Sequence, residues 1–327
     1  MGRGADGGFF VPFRMPDLPS GYLSALKEKT FGQNIADILN IFFSAKLTGW
    51  DVEATIGRRP WEIKSMNRRI FVAELWHNMD NGFHGMIRSL AERIHPDGEL
   101  IGKPTNWVSV AVRIAVLFGI FGELMKQDGW QANTPINVAV TSGSFAMPMA
   151  VWYARQLGLP VKTIICGCNE NGAPWDLLHR GQVDTDALAV KTRTPECDYA
   201  LPPDMERLIY STMGQEEAMR YWWCCTEGAS YIPPEGELEN LRKGMFAAVV
   251  SCGRVESIIP SVYRTNRYIL DLYGTLAYGA LSDYRSGTGD NGVTLLLSEK
   301  SPLCDAQAVA KAMRISVAEL KERLAEG

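Results

Sequence analysis

The sequence predicts an α/β protein: a parallel-rich sheet flanked by helices, with an α-rich N-terminal part. Three observations carry this reading. From residue 136 an apolar strand (INVAV), a helix (PMAVWYARQL) and a second strand (VKTIICGC) follow one another as a βαβ unit. Two further strand-like runs, IFVAELW at 70–76 and VTLLLSE near the C-terminus, are apolar and rich in β-branched or aliphatic residues. Most of the remaining chain carries helical periodicity.

Taken in order, the opening GRGADGGFFVPFRMPDLPSG is irregular, because Pro12, Pro16 and Pro19 block regular structure. Residues 30–47 place Ile35, Ile38, Leu39, Phe42 and Phe43 at helical spacing. After the strand at 70–76, residues 85–94 read as a short helix and HPDGELIGKPTN as a loop. Residues 106–125 form a helix that is apolar almost all round and long enough for a membrane span. Arg113 near its middle would cost ~3 kcal/mol in a bilayer, and Ser109 and Glu123 interrupt it as well. A central core helix is therefore expected. Further on, ERLIYSTM, EEAMRYWW, ENLRKGMFAAVV and residues 264–285 read as helical. Two closing helices, DAQAVAKAM and SVAELKERLAE, follow the last strand, the second capped by Ser316. The division expected is an N-terminal segment, 1–84, and an α/β core, 85–327.

Composition bounds the function. With 327 residues, 46% hydrophobic and 21% charged, the chain can bury a large core, and a net charge of −4 leaves no basic footprint for nucleic acid or an anionic membrane. Seven cysteines without a secretory leader imply reduced thiols and a cytoplasmic setting, and neither Cys166/Cys168 nor Cys224/Cys225 has metal-knuckle spacing.

The segment TSGSFAMPMAVWYARQLGLPV is the chemically informative one. Ser142, Gly143, Ser144, Phe145 and Ala146 join the end of a strand to a helix, where unpaired N–H groups and the helix dipole favour an anion. The same five residues also suit a packed turn without ligand. His77, Asp80 and His84 fall at i, i+3 and i+7, which on a helix would share a face, but Gly82 and the adjacent asparagines favour a loop. A polar pocket is expected there, and no metal. Asn106 is either a site residue or the N-cap of the core helix. Asn169 and Asn171 end a strand, where parallel sheets place ligands, or they serve as turn residues beside Gly172. Glu206–Arg207 reads as a structural contact and Tyr221–Trp222–Trp223 as core or interface.

The ordered series ADGGFFVP, PTNW before an apolar helix, VAVTSGSFAMPMAVWYARQLGLPVKTIICGCNENGAPWDLLHRGQ, DYALPPDMERLIY and LLLSEKSP resembles the threonine synthases, a family of fold-type II pyridoxal-phosphate enzymes. The resemblance implies pyridoxal phosphate as cofactor, Ser142–Ala146 as its phosphate loop, and Asn106, Asn169 and Asn171 at the site. Three departures argue against that chemistry. In FVAELWHNMDNGFHG, His84 stands where the family carries its aldimine lysine, and an imidazole cannot replace a primary amine. Only MIRSLAERIHPDGELIGKP occupies the place of a whole middle domain. The phosphate loop ends in Ala146, and Glu299 and Ser301 replace a threonine and a histidine of the family pattern.

The expected protein is a repurposed or vestigial threonine synthase-like scaffold that has lost aldimine chemistry and binds a small anionic or phosphorylated ligand, or a partner chain, in the remnant cleft, with a homodimer or partner chain covering the surface the middle domain would have covered. Two alternatives stand beside it. One is a pyridoxal-independent enzyme with His84 and Glu299 as acid and base. The other is a pyridoxal-phosphate lyase acting on a phosphohomoserine-like compound, with a loop lysine such as Lys103 reaching in.

Overall fold

The computed structural model describes residues 3–5, 7–57, 61–77, 82–95, 106–127, 130 and 133–326. Six strands form one sheet: β1 (Glu62–Asn67), β2 (Ile70–Glu74), β3 (Ile136–Thr141), β4 (Val161–Cys168), β5 (Met245–Val249) and β6 (Thr294–Ser298). Their order is β1-β2-β6-β3-β4-β5. Only β1 runs antiparallel, against β2; every other pair is parallel. Period-two alternation divides the strands between two cores. Val138, Val140, Ile164, Cys166, Leu295 and Leu297 face one, while Ala139, Ile165, Leu296 and Val72 face the other. A sheet buried on both faces explains why its strands read as unbroken apolar runs.

Helices of eight residues or more are numbered here in chain order. The first six are α1 (Phe31–Phe43), α2 (Gly49–Ile56), α3 (Gly82–Ile94), α4 (Trp107–Leu124), α5 (Ala146–Gln156) and α6 (Met205–Met213). The rest are α7 (Gln215–Glu227), α8 (Glu235–Arg242), α9 (Cys252–Asn266), α10 (Leu272–Thr288), α11 (Ala306–Met313) and α12 (Val317–Glu326).

Helix α4 is the expected core helix. Asn106 caps it by accepting from the Val108 N–H at 3.0 Å, and 89% of its length is buried in the fold. Helix α10 covers the opposite face of the sheet, so closely that a Cβ at Gly167 of β4 would overlap the Leu276 carbonyl. Helix α12 starts as expected, with Ser316 Oγ accepting from the Glu319 N–H at 3.1 Å.

Two helical expectations need correction. ENLRKGMFAAVV is helical only to Arg242; after Gly244 the run MFAAV becomes β5, because pairing beside β4 satisfies its backbone and buries Met245 and Ala247. The stretch 264–285 is broken as well. Arg267 adopts a left-handed conformation with φ 58°, ending α9, and Asp271 restarts the chain as N-cap of α10, accepting from the Tyr273 and Gly274 N–H groups. The sequence reading did not anticipate β1, α2 or α9. Residues 85–94 lie within α3, whereas 96–105, with Lys103, and the loop residue Asp80 lie outside the described residues.

Candidate functional site

The chain passes from β3 to β4 and β5 on one side, then returns through α10 to β6 on the other. Beyond the carboxyl ends of β3 and β6, where this reversal leaves a crevice, lies a cavity of about 220 Å³. Thr141, Ser142, Gly143, Ser144, Ala146 and Met147 form one wall, and Leu297, Glu299 and Lys300 another. Arg113 of α4, Tyr273 of α10 and the segment with Glu196, Cys197 and Tyr199 complete it, and His84 of α3 stands with them.

The strand-to-helix loop is built from inside. Gly143 takes φ 45° and Phe145 φ 71°, a strained angle for a residue with a side chain. The Phe145 ring is fully buried, and its N–H donates to the Ser142 carbonyl at 2.7 Å. Packing of the ring thus holds the turn in place. Ala146 and Met147 then open α5, where an α-helix leaves its first N–H groups without intrahelical partners. Both line the cavity. The Ser142 hydroxyl is buried and forms no hydrogen bond of good geometry.

Charge is unevenly distributed around this space. Arg113 is 5% exposed. It donates to the Ser109 carbonyl at 3.1 Å, and its guanidinium lies 5.8 Å from the centre of the Phe83 ring. Lys300 Nζ pairs with Glu196 Oε1 at 2.6 Å. His84 Nε2 is 3.4 Å from the other Glu196 oxygen, and His84 Nδ1 is 3.9 Å from Glu299 Oε2. The mouth is open to solvent: the His84 side chain is 53% exposed and that of Glu196 44%.

These positions shift proton affinities. Burial pushes the Glu299 carboxyl up to about 7, against the pull of Arg113. Loss of solvation, then the Arg113 charge, hold His84 below its ordinary value despite the opposing charge of Glu196. Burial also keeps the Cys197 thiol protonated, its pKa raised to about 12. Lys300 is held above its ordinary value, the pairing with Glu196 outweighing partial burial. It is therefore an ammonium at neutral pH.

Of the site residues expected from sequence, His84, Glu299, Ser142, Gly143, Ser144 and Ala146 are brought to this one cavity. Phe145 is placed beneath it as an anchor, and Asn106 serves as the α4 cap. Asn169 and Asn171 do not line it. Asn169 Nδ2 donates to Thr192, Thr194 and Asp198, and Asn171 exchanges hydrogen bonds with the Val190 backbone. They fasten the segment that carries Glu196 and Cys197 to the end of β4. His77 belongs to a different surface. Its Nε2 is 2.6 Å from Glu74 Oε2, and the other Glu74 oxygen accepts from Tyr268 at 2.6 Å. Glu62, Glu74 and His77 bring three potential donor atoms within 4.8 Å. Both Glu74 oxygens are engaged, however, and the Lys64 ammonium stands 3.5 Å from Glu62. Tyr221 is buried while Trp222 and Trp223 are exposed.

Arg113, Lys300 and Glu196 were not anticipated as site residues. A signal for Arg113 was present, a lone cation in an 18-residue apolar helix. For Glu196 and Lys300 there was none beyond adjacency to Cys197 and Glu299.

The residues fit pyridoxal phosphate only in part. The loop 142–147 and Arg113 suit its phosphate. For its aldehyde a primary amine would be needed: the resemblance puts His84 at that position, and Lys300, which lines the cavity, is held as an ammonium against Glu196.

No protein-family model matches the chain. Human threonine synthase-like 1 is 25% identical over 175 residues, covering 53% of this chain and 24% of that protein, and the mouse protein is 26% identical over the same length. The match thus spans about a quarter of the length of these relatives. Threonine synthase of Pseudomonas aeruginosa is 24% identical over 213 residues, 63% of this chain and 43% of its own. Among solved structures, pyridoxal-phosphate-bound threonine synthase of Brucella melitensis superposes with TM-score 0.79 at 16% identity, covering 95% of this chain and 86% of that one. Yeast threonine synthase gives 0.80 at 15%, covering 96% and 86%. By sequence likeness the chain is similar to the threonine synthases, and its fold is the one seen in their solved structures.

Proposed function

We propose that this threonine synthase-like protein binds a small anion, preferentially one bearing phosphate, in the cavity between β3 and β6, without the aldimine chemistry of its relatives. The observation that carries this reading is Arg113. A buried cation costs several kcal/mol unless a counter-charge meets it. Nearby Arg207, equally buried, has that partner in Asp204. Arg113 has no carboxylate within salt-bridge distance among the described residues, yet it lines a cavity that also receives the N-terminus of α5. Glu299 and Asp204 act on Arg113 only through longer-range attraction, so an anion entering there supplies a close counter-charge and meets the first-turn N–H groups together. The His84 substitution and the short path between α3 and α4 support loss of the relatives' chemistry and of the layer that would close the mouth.

Thermal denaturation in phosphate and in chloride at matched ionic strength tests this. Phosphate should raise the midpoint in the native chain and not in Arg113→Met. Equal stabilisation by the two salts, or an unchanged phosphate effect in the variant, overturns the reading.

The approach of His84 Nδ1 to Glu299 Oε2 at 3.9 Å favours one second reading, acid–base catalysis on a phosphorylated substrate. Turnover in a screen of phosphorylated small compounds, abolished by His84→Ala, would establish it. The cytoplasmic setting and a partner covering the open side belong to the same proposal.

A further inference from the structure

Glu299 and Arg113 line the same cavity, and the half-exposed His84 and Glu196 stand at its mouth. Glu299 is only 17% exposed at its side chain, and the principal charge favouring its ionised form is Arg113. An anion arriving at Arg113 takes over that favourable charge and adds a like charge beside the carboxylate. Both effects drive a proton onto Glu299. We propose that anion binding in this cavity is coupled to uptake of one proton from solvent, with Glu299 as its acceptor. The ligand class selected is then an anion such as sulfate or a phosphate-monoester dianion, one of whose charges is met by Arg113 while protonation of the carboxyl removes the like charge beside it. This inference rests on the anion reading above and deepens it.

The other titratable groups near this space are engaged elsewhere or held away from neutrality. Tyr273 of α10 and Cys197 are both pushed up to about 12. Lys300, beside Glu299 on the β6 extension, is raised above its ordinary value. Asp271 at the α10 N-cap accepts from the Ser298 hydroxyl and the Tyr273 and Gly274 N–H groups, Asp204 pairs with Arg207, and neither lines the cavity. His84 of α3 is lowered. Glu196 stays bound to Lys300. Among the described residues, Glu299 is the buried carboxyl that lines the cavity with Arg113.

Sulfate separates the coupling from ligand titration, since it remains a dianion throughout the range. Calorimetric titration with sulfate from about pH 6 to about pH 9, each point in two buffers of different ionisation heat, measures both affinity and protons taken up. The native chain should bind more weakly as pH rises through 7, by up to about tenfold per unit, the limit for one linked proton. Net proton uptake should peak between about pH 7 and 8. Glu299→Gln should bind at about pH 8 at least as tightly as the native chain does at about pH 6, with no buffer dependence. Sulfate binding that is flat with pH and releases or takes up no proton overturns the coupling but leaves the anion reading intact. Dependence that survives Glu299→Gln and disappears in His84→Gln assigns the proton to the imidazole and also overturns it. No sulfate binding at any pH overturns both. The buffer comparison on the native chain decides the matter even if the Glu299 variant does not fold.

Discussion

His84 Nδ1 and Glu299 Oε2 stand 3.9 Å apart, brought together from α3 and the end of β6. Their proton affinities are moved toward one another, the imidazole down and the carboxyl up to about 7. At neutral pH a neutral imidazole therefore stands beside a partly protonated acid, rather than in an ion pair.

The first prediction follows from that inversion. Nuclear magnetic resonance should find the His84 imidazole titrating below its ordinary value of 6.5. Replacing it by alanine should change stability at neutral pH by less than about 0.5 kcal/mol, as for an ordinary surface substitution. A midpoint above neutrality would mean that the two groups form a true salt bridge.

Glu299 should impose a pH-dependent cost on folding. Its folded-state value is raised from 4.5 to about 7, so the native state holds the proton more tightly than the unfolded chain does. The cost is absent well below 4.5, grows as pH rises, and is complete above about 7. It amounts to roughly 2–3 kcal/mol from the size of the shift. Glu299→Gln should therefore stabilise the chain at about pH 8 and leave it unchanged at about pH 4. Denaturant melts at both values check this, and equal effects at both would remove the titration argument.

Pyridoxal phosphate added to the native protein should bind weakly and leave no adduct after borohydride treatment. The cavity's amine, Lys300, is held 2.6 Å from Glu196, and a protonated amine is not a nucleophile. Mass spectrometry of the reduced protein reads the result directly. A stoichiometric pyridoxyl group on Lys300, or on Lys103, would reinstate covalent cofactor chemistry.

A core prediction concerns the contact between β4 and α10. Gly167→Ala forces a methyl group against the Leu276 carbonyl, which is backbone and cannot rotate away. Destabilisation of about 3 kcal/mol or more is expected, at the upper end for overpacking. Gly236→Ala, which meets nothing nearby on α8, serves as the comparison and should be neutral or stabilising.

The α/β class and the βαβ unit were legible because strands buried on both faces leave long apolar runs and α5 leaves its own period. The MFAAV strand was not, since its helix and strand tendencies are similar and pairing with β4 decides. The loop at 142–146 could be read because its chemistry is local. Arg113, Glu196 and Lys300 were missed because their roles arise only when α4, the segment after β4 and the end of β6 converge. Asn169 and Asn171 show the opposite limit. The sequence placed them correctly at a strand end, but only the fold shows that their amides hold a neighbouring segment.

Phe145, fully buried at φ 71°, fixes the turn above it by hydrophobic packing. The loop that lines the cavity is thus assembled when the core condenses, before any ligand is present. Little chain entropy is left to lose on association. Because no apolar surface moves, the heat capacity of the protein should hardly change when the anion enters. Affinity in such a site is governed by charge and water displacement alone. Enlarging or trimming the Phe145 side chain would alter the loop's shape without touching any group that meets the ligand.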